Sequence, residues 1–120
     1  MATNGRLTTH VLDTARGQPG AGMKIEFSVL EGTGWRLLKT LHTNADGRTD
    51  EPLLAGDAMV RGQFQLIFSV ADYFRGTGLS LAEPAFIDRV PLHFGIADAS
   101  AHYHVPLLCS PWAYSTYRGS

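Results

Sequence analysis

The chain has 120 residues, 44% hydrophobic and 18% charged. Those proportions suit a single domain spanning 1–120 with its own core, and exclude a disordered or membrane-embedded chain. Ten Lys and Arg against eleven Asp and Glu give a net charge of -1, so no basic face invites nucleic acid and none is expected as a partner.

Leu7 to Asp13 predicts the first strand, with Leu7, Thr9 and Val11 on one face and Thr8, His10 and Leu12 on the other. Arg16 to Gly22 is dense in Gly and Pro and reads as a loop. Met23 to Val29 alternates most clearly, Met23, Ile25, Phe27 and Val29 against Lys24, Glu26 and Ser28, which predicts a half-buried strand. Glu31 to Gly34 turns the chain into a third strand, Trp35 to His42, with hairpin spacing. Asn44 to Gly47 predicts a tight turn, since Asp-Gly tolerates positive φ, and Arg48 follows at the mouth of a short strand. Pro52 to Gly62 reads as irregular.

Gln63 to Val70 predicts a strand with Phe64, Leu66, Phe68 and Val70 inward. Ala71 to Gly76 breaks the alternation and predicts one or two helical turns capped by Gly76. Glu83 to Ile87 connects to another strand, Val90 to Ile96, which tolerates Pro91 near its start. In the closing pair, Val105, Leu107 and Cys109 alternate with His104, Pro106 and Leu108. Ser110-Pro111 turns the chain, and Trp112, Tyr114 and Thr116 alternate with Ala113, Ser115 and Tyr117. His102 and His104 share one strand face; Pro106, in mid-strand, implies a bulge or an acceptor that bonds elsewhere. Seven or eight short strands with one short helical interruption predict an all-β antiparallel sandwich.

The run His102-Tyr-His-Val-Pro-Leu-Leu108, the Ser110-Pro111 turn and the ending Tyr117-Arg-Gly-Ser120 resemble the 5-hydroxyisourate hydrolases, which are related to transthyretin. Leu7-Thr-Thr-His-Val-Leu-Asp13 with Gly17-Gln-Pro19 is similar to that family's opening, and Thr43 to Thr49 to its central arginine segment. The resemblance runs in order along nearly the whole chain. It implies a transthyretin-like sandwich assembled as a homotetramer around a solvent-filled channel. It also implies hydrolysis of 5-hydroxyisourate to 2-oxo-4-hydroxy-4-carboxy-5-ureidoimidazoline in urate breakdown. Trp112 departs modestly from the pattern, standing where a smaller aromatic is common.

Opening a ring amide with water needs a base, a cation for the oxyanion and a proton for the leaving nitrogen. By the resemblance His10, Arg48 and His104 form the catalytic set, and Tyr117, Arg118, Gly119 and Ser120 complete the substrate pocket. The expected roles are water activation by His10 and His104, carbonyl polarisation by Arg48 and ring orientation by Tyr117 and Ser120; which histidine is the base stays open. Histidine suits the proton steps because its unperturbed pKa lies near 6.5, and arginine suits the charge step because it stays protonated.

His102 is placed at the channel rim, and His42 and His93 are read as structural or surface residues. No Cys or carboxylate stands at a zinc-ligand spacing and no Gly-rich loop opens a helix, so neither a metal nor another cofactor is expected. The rival reading is a small-ligand (hormone) carrier of the transthyretin kind, whose channel wants apolar walls where this chain offers His, Arg and Tyr. The lone cysteine, Cys109, leaves no partner for an internal disulfide and falls on the inward face as a small buried hydrophobe. No apolar run reaches the roughly 20 residues of a membrane helix, and no apolar signal segment or Ser-Lys-Leu ending is seen, so the expectation is a cytoplasmic protein without a membrane partner.

Overall fold

Period-two alternation builds two sheets whose inward faces meet. The computed structural model describes residues 4–119. In chain order its strands are β1 (Arg6–Asp13), β2 (Gln18–Pro19), β3 (Lys24–Glu31), β4 (Gly34–His42), β5 (Leu54–Ala55) and β6 (Gly62–Ser69). Helix α1 (Val70–Gly76) leads to β7 (Arg89–Ile96), β8 (His102–Cys109) and β9 (Tyr114–Thr116). One sheet runs β2-β1-β8-β9, with β5 also on β1; the other runs β4-β3-β6-β7. The predicted long strands are all present. The described residues add two-residue strands in the Gly- and Pro-rich segments, β2 and β5, which are too short to show a period.

One pairing departs from an all-antiparallel sandwich. β1 and β8 run parallel, with Thr8 beside His104 and His10 beside Pro106. Parallel neighbours need a long crossover, and here nearly the whole chain intervenes. The core between the sheets centres on Phe27, Phe64 and Phe68 with Leu7, Val11, Ile25, Leu66 and Leu107, all at most 1% exposed. Phe27 stacks on Phe64 at 5.6 Å between ring centroids, and Phe64 on Phe94 at 6.1 Å. A register shift between Phe27 and Ser28 buries Ser28 and leaves Val29 only half-buried, so the inward series of β3 ends one residue earlier than alternation predicts.

The helix cap also differs from expectation. α1 begins at Val70, and Gly76 is its last helical residue, not its cap. Thr77 keeps αR geometry as the C-cap, with its hydroxyl donating to the Phe74 carbonyl at 2.6 Å. Gly78, at φ +93, then takes the left-handed position that ends the helix.

Pro106 sits where its missing N–H does least harm. His104 pairs with Gly119, and Leu107 with Thr116, so the register sets Pro106 opposite Tyr117 on the β9 side. There the ladder breaks between β9 and the Gly119 bridge, and the Thr116 hydroxyl donates to the Pro106 carbonyl at 2.7 Å. The acceptor is met by a side chain, with no bulge needed. Cys109 is fully buried; burial first, then nearby Asp13, pushes its thiol up to about 12. It packs as a hydrophobe.

Asp13 is a buried carboxylate at the end of β1. Its oxygens accept from Arg16 Nε at 2.9 Å, from the Arg16 backbone N–H at 3.0 Å and from the Tyr73 hydroxyl at 2.8 Å. Arg16 Nη2 donates in turn to the Tyr73 hydroxyl at 2.8 Å, tying β1 to α1. Burial acts to raise the Asp13 pKa, but the hydrogen bonds from Arg16 and Tyr73 outweigh it and the value lies below 3.8. A depressed carboxyl stabilises the fold above its unfolded pKa, and that stability disappears as pH falls through the lower folded value. Asp13→Ala is expected to cost about 2 kcal/mol at neutral pH, because it strands the buried Tyr73 hydroxyl while the exposed Arg16 stays solvated, and Tyr73→Phe about 1 kcal/mol. Urea unfolding at pH 7 and in acid measures both. The Asp13→Ala penalty should shrink in acid; a penalty independent of pH refutes the ionised network.

Candidate active site

The site lies on the outer face of the β1–β8 pair, where alternation turns Thr8, His10, His102 and His104 away from the core. Each has a positioning reason. Parallel register sets Thr8 beside His104 and Arg6 beside His102. Thr8 Oγ1 contacts His104 Nδ1 at 2.8 Å and His102 Nε2 at 3.3 Å. The His10 and His104 ring centroids are 6.5 Å apart.

The Asn44–Arg48 turn supplies the third element. The Asn44 side-chain oxygen accepts from the Asp46 N–H at 2.9 Å and the Arg48 N–H at 3.1 Å, while Asn44 N donates to the Arg48 carbonyl at 2.7 Å. Gly47, at φ +77, lies so close to β1 that an added Cβ would collide with the Val11 carbonyl. The turn is therefore pressed onto β1: Arg48 bridges to His10, and the Asp46 carbonyl lies 2.9 Å from His10 Nε2. A carbonyl only accepts, so His10 carries a proton on Nε2 and, when neutral, its lone pair is on Nδ1.

Arg48, His102 and His104 border a cleft of about 430 Å3 lined also by Arg6, Thr8 and Pro52, with Thr9, Thr49, Asp50 and Glu51; His10 lies outside this lining, beside His104. Partial burial, and then the Arg48 guanidinium and the His10 and His102 rings, hold the His104 imidazole below its ordinary 6.5. The neutral form is thereby favoured. A neutral imidazole beside a guanidinium can take a proton from water while the cation faces the developing oxyanion.

The structure thus brings His10, Arg48 and His104 together. Of the closing residues it brings Gly119 to them: His104 and Gly119 exchange backbone hydrogen bonds at 2.7 and 3.4 Å, and an added Cβ at Gly119 would lie 2.9 Å from His104 Cδ2. Tyr117 is 59% exposed and borders a separate groove by β7. Arg118 is turned away from the cleft, its guanidinium 4.2 Å from the Tyr103 ring centre and its Nη2 donating to the His102 carbonyl at 3.2 Å. Ser120 lies outside the described residues.

His102 is among the residues that line the cleft. His93 stands apart against Trp35 and Gln65, and His42 is exposed at the end of β4. Sequence reasoning passed over Arg6, Thr8 and Asn44. Arg6 and Thr8 share the parity of His10, so the alternation already held that signal; Asn44 carried it in the Asx-turn preference of its side chain.

Fold and cleft together define a two-sheet sandwich of the transthyretin type, bearing an imidazole–guanidinium cleft suited to hydrolytic chemistry. Residues 7–119 match the HIUase/Transthyretin family, and the chain belongs to it. It is 58% identical over 120 residues, covering 100% of both chains, to 5-hydroxyisourate hydrolase 2 of Rhizobium meliloti (strain 1021). Among solved structures it is similar to (S)-allantoin synthase, with 42% identity, a TM-score of 0.93 and coverage of 98% of this chain but only 44% of that longer one. It is also similar to 5-hydroxyisourate hydrolase of Klebsiella pneumoniae, at 33% identity and a TM-score of 0.77, covering 96% and 99% of the two chains. No helix among the described residues is long and apolar enough to cross a membrane.

Proposed function

We infer that the protein hydrolyses 5-hydroxyisourate, with His104 as the base. The observation that carries the assignment of the base is the place of His104 in the cleft beside Arg48, where burial and the neighbouring cation hold its pKa below the ordinary value. His104 takes a proton from water as the water oxygen attacks the ring amide carbonyl. Arg48 faces the oxyanion, and the imidazolium returns the proton to the nitrogen as the C–N bond breaks. His10, its Nε2–H given to Asp46, offers Nδ1 to hold the same water. Within one chain only Gly119 meets His104; Tyr117, Arg118 and Ser120 are assigned to the pocket in the assembled form, with Arg118 anchoring the tail on Tyr103. A hormone-type carrier fits less well, since two arginines and two carboxylates line the cleft where an apolar ligand would lie.

The test is ultraviolet turnover of freshly generated 5-hydroxyisourate, read against its spontaneous decay. Enzyme-dependent loss is expected, and a rate equal to the blank refutes the reading.

The working form is a homotetramer with the outer face of the β1–β8 pair lining a channel. Supporting this are the exposed aromatics along β9 and its flanks, Trp112 at 69% and Tyr117 at 59%, and the half-buried pair Leu12 and Leu108 on the same face as His10. Faces mixing apolar and polar groups suit an interface. Sedimentation at micromolar concentration should give four chains; a fully active monomer rules the channel out.

A further inference from the structure

We propose that Thr8 is a positioning residue that sets the tautomer of His104. Its Oγ1 accepts from His104 Nδ1–H and donates its own proton to His102 Nε2, so that neutral His104 presents its lone pair on Nε2. This deepens the hydrolase reading above and rests on it for its catalytic consequence.

Thr8 Oγ1 lies 2.8 Å from His104 Nδ1 and 3.3 Å from His102 Nε2. A hydroxyl has one proton and two lone pairs, so it cannot donate to both rings. At least one ring must give it an N–H, and the tautomers of His102 and His104 are coupled through a single oxygen. Three arrangements satisfy the count. In the first, His102 donates, Thr8 donates onward and His104 is left with Nε2–H, which is no base. In the second, His104 donates from Nδ1, keeps the Nε2 lone pair and leaves the Thr8 proton for His102; in the third both rings donate to Thr8, and His104 again keeps the Nε2 lone pair.

The second arrangement gives the shorter contact to the ring that gains charge. When His104 takes a proton, its Nδ1–H bond to Thr8 becomes charge-assisted, and such bonds are the shorter ones. It also makes the two imidazoles opposite in tautomer, since the Asp46 carbonyl fixes His10 as Nε2–H. The groups facing His104 are Arg6 and His10 from β1, Arg48, Asp50 and Glu51 from the segment after the turn, and His102 on its own strand. The tail meets it only through the Gly119 backbone, with Arg118 on the His102 carbonyl. None of these supplies another hydrogen-bond partner to His104 Nδ1, so the tautomer depends on Thr8.

The experiment uses the full chain labelled with 15N in its histidines. Ring shifts across pH report the tautomer and titration of His104 in the parent, in Thr8→Val and in Thr8→Ser. Turnover of 5-hydroxyisourate by each gives kcat, KM and the acid limb of kcat/KM. The parent is expected to show neutral His104 as Nδ1–H. Thr8→Val removes the acceptor that favours imidazolium, so the His104 pKa and the acid limb should move to lower pH, with kcat down about 10–100-fold and KM nearly unchanged. Thr8→Ser should restore both.

A parent His104 in the Nε2–H form overturns the proposal, as does a Thr8→Val protein with the parent's acid limb and kcat. If Thr8→Val fails to fold, the parent tautomer and the Thr8→Ser titration decide alone. A parent that leaves 5-hydroxyisourate untouched while its His104 is Nδ1–H refutes the hydrolase reading and upholds the tautomer assignment.

Discussion

His104→Ala is expected to lower kcat/KM for 5-hydroxyisourate by about 10²–10⁴-fold, the range lost with a positioned proton-transfer group. The fold should survive, because the His104 side chain stands on the outer face of β8 while its inward neighbours Tyr103 and Val105 stay buried. Arg48→Ala should fall by about 10²–10³-fold, as when one oxyanion partner is removed, and His10→Ala should also lose most activity. Because the three groups are proposed to act on one water, their losses should be strongly non-additive. A His10→Ala, His104→Ala double variant whose loss equals the product of the singles argues for independent roles. The pH profile gives a second test. Base catalysis needs neutral His104, so kcat/KM should hold below pH 6.5 and fall only as pH drops through the depressed pKa. Arg48→Ala removes a cation that depresses it, so any residual activity should begin its acid fall at higher pH than the parent.

Much of this arrangement is legible in the sequence for a physical reason. A half-buried strand writes its facing into the chain residue by residue, so alternation alone sets Leu7, Val11, Phe64, Leu66, Phe68 and Leu107 inward, and His10 and His104 outward. Strand order leaves no such trace. Nothing in the alternation of β1 or β8 announces that they pair in parallel, yet that pairing puts Thr8 beside His104. Asn44 to Gly47 spells the turn that precedes Arg48, but only the family resemblance singles Arg48 out; which strand the turn presses on depends on the Gly47 approach to Val11. The closing residues show the limit most clearly. Tyr117-Arg118-Gly119 stands out by its chemistry, but the missing N–H of Pro106 breaks the ladder beside it. Within one chain that break leaves Gly119 on His104, Arg118 on Tyr103 and Tyr117 exposed.

Removing residues 117–120 should leave a folded protein whose hydrolysis is close to background. Tyr117 is largely exposed, so little apolar burial is lost, and with the Gly119 hydrogen bonds the cost is on the order of 1–3 kcal/mol. β9 itself keeps its pairs from Leu107↔Thr116 to Cys109↔Tyr114. The consequence falls on His104. Its backbone N–H and carbonyl lose Gly119 together, and the ring loses the neighbouring chain, which passes so close that a Cβ at Gly119 would collide with it. The strand segment that aims the base is then free to move, and displacements of about 1 Å cost roughly 10²-fold in such reactions. Gly119→Ala separates this positioning effect from loss of the Tyr117, Arg118 and Ser120 side chains. It keeps all of them, but places a methyl 2.9 Å from His104 Cδ2 and 3.1 Å from His104 Cβ, so either the ring or the tail must shift. Circular dichroism and turnover on both proteins decide the matter. Native-like spectra with activity lost in both identify Gly119 packing as what holds the base in place. Near-parent turnover by the truncated chain would show that the tail only plugs the edge of the sheet.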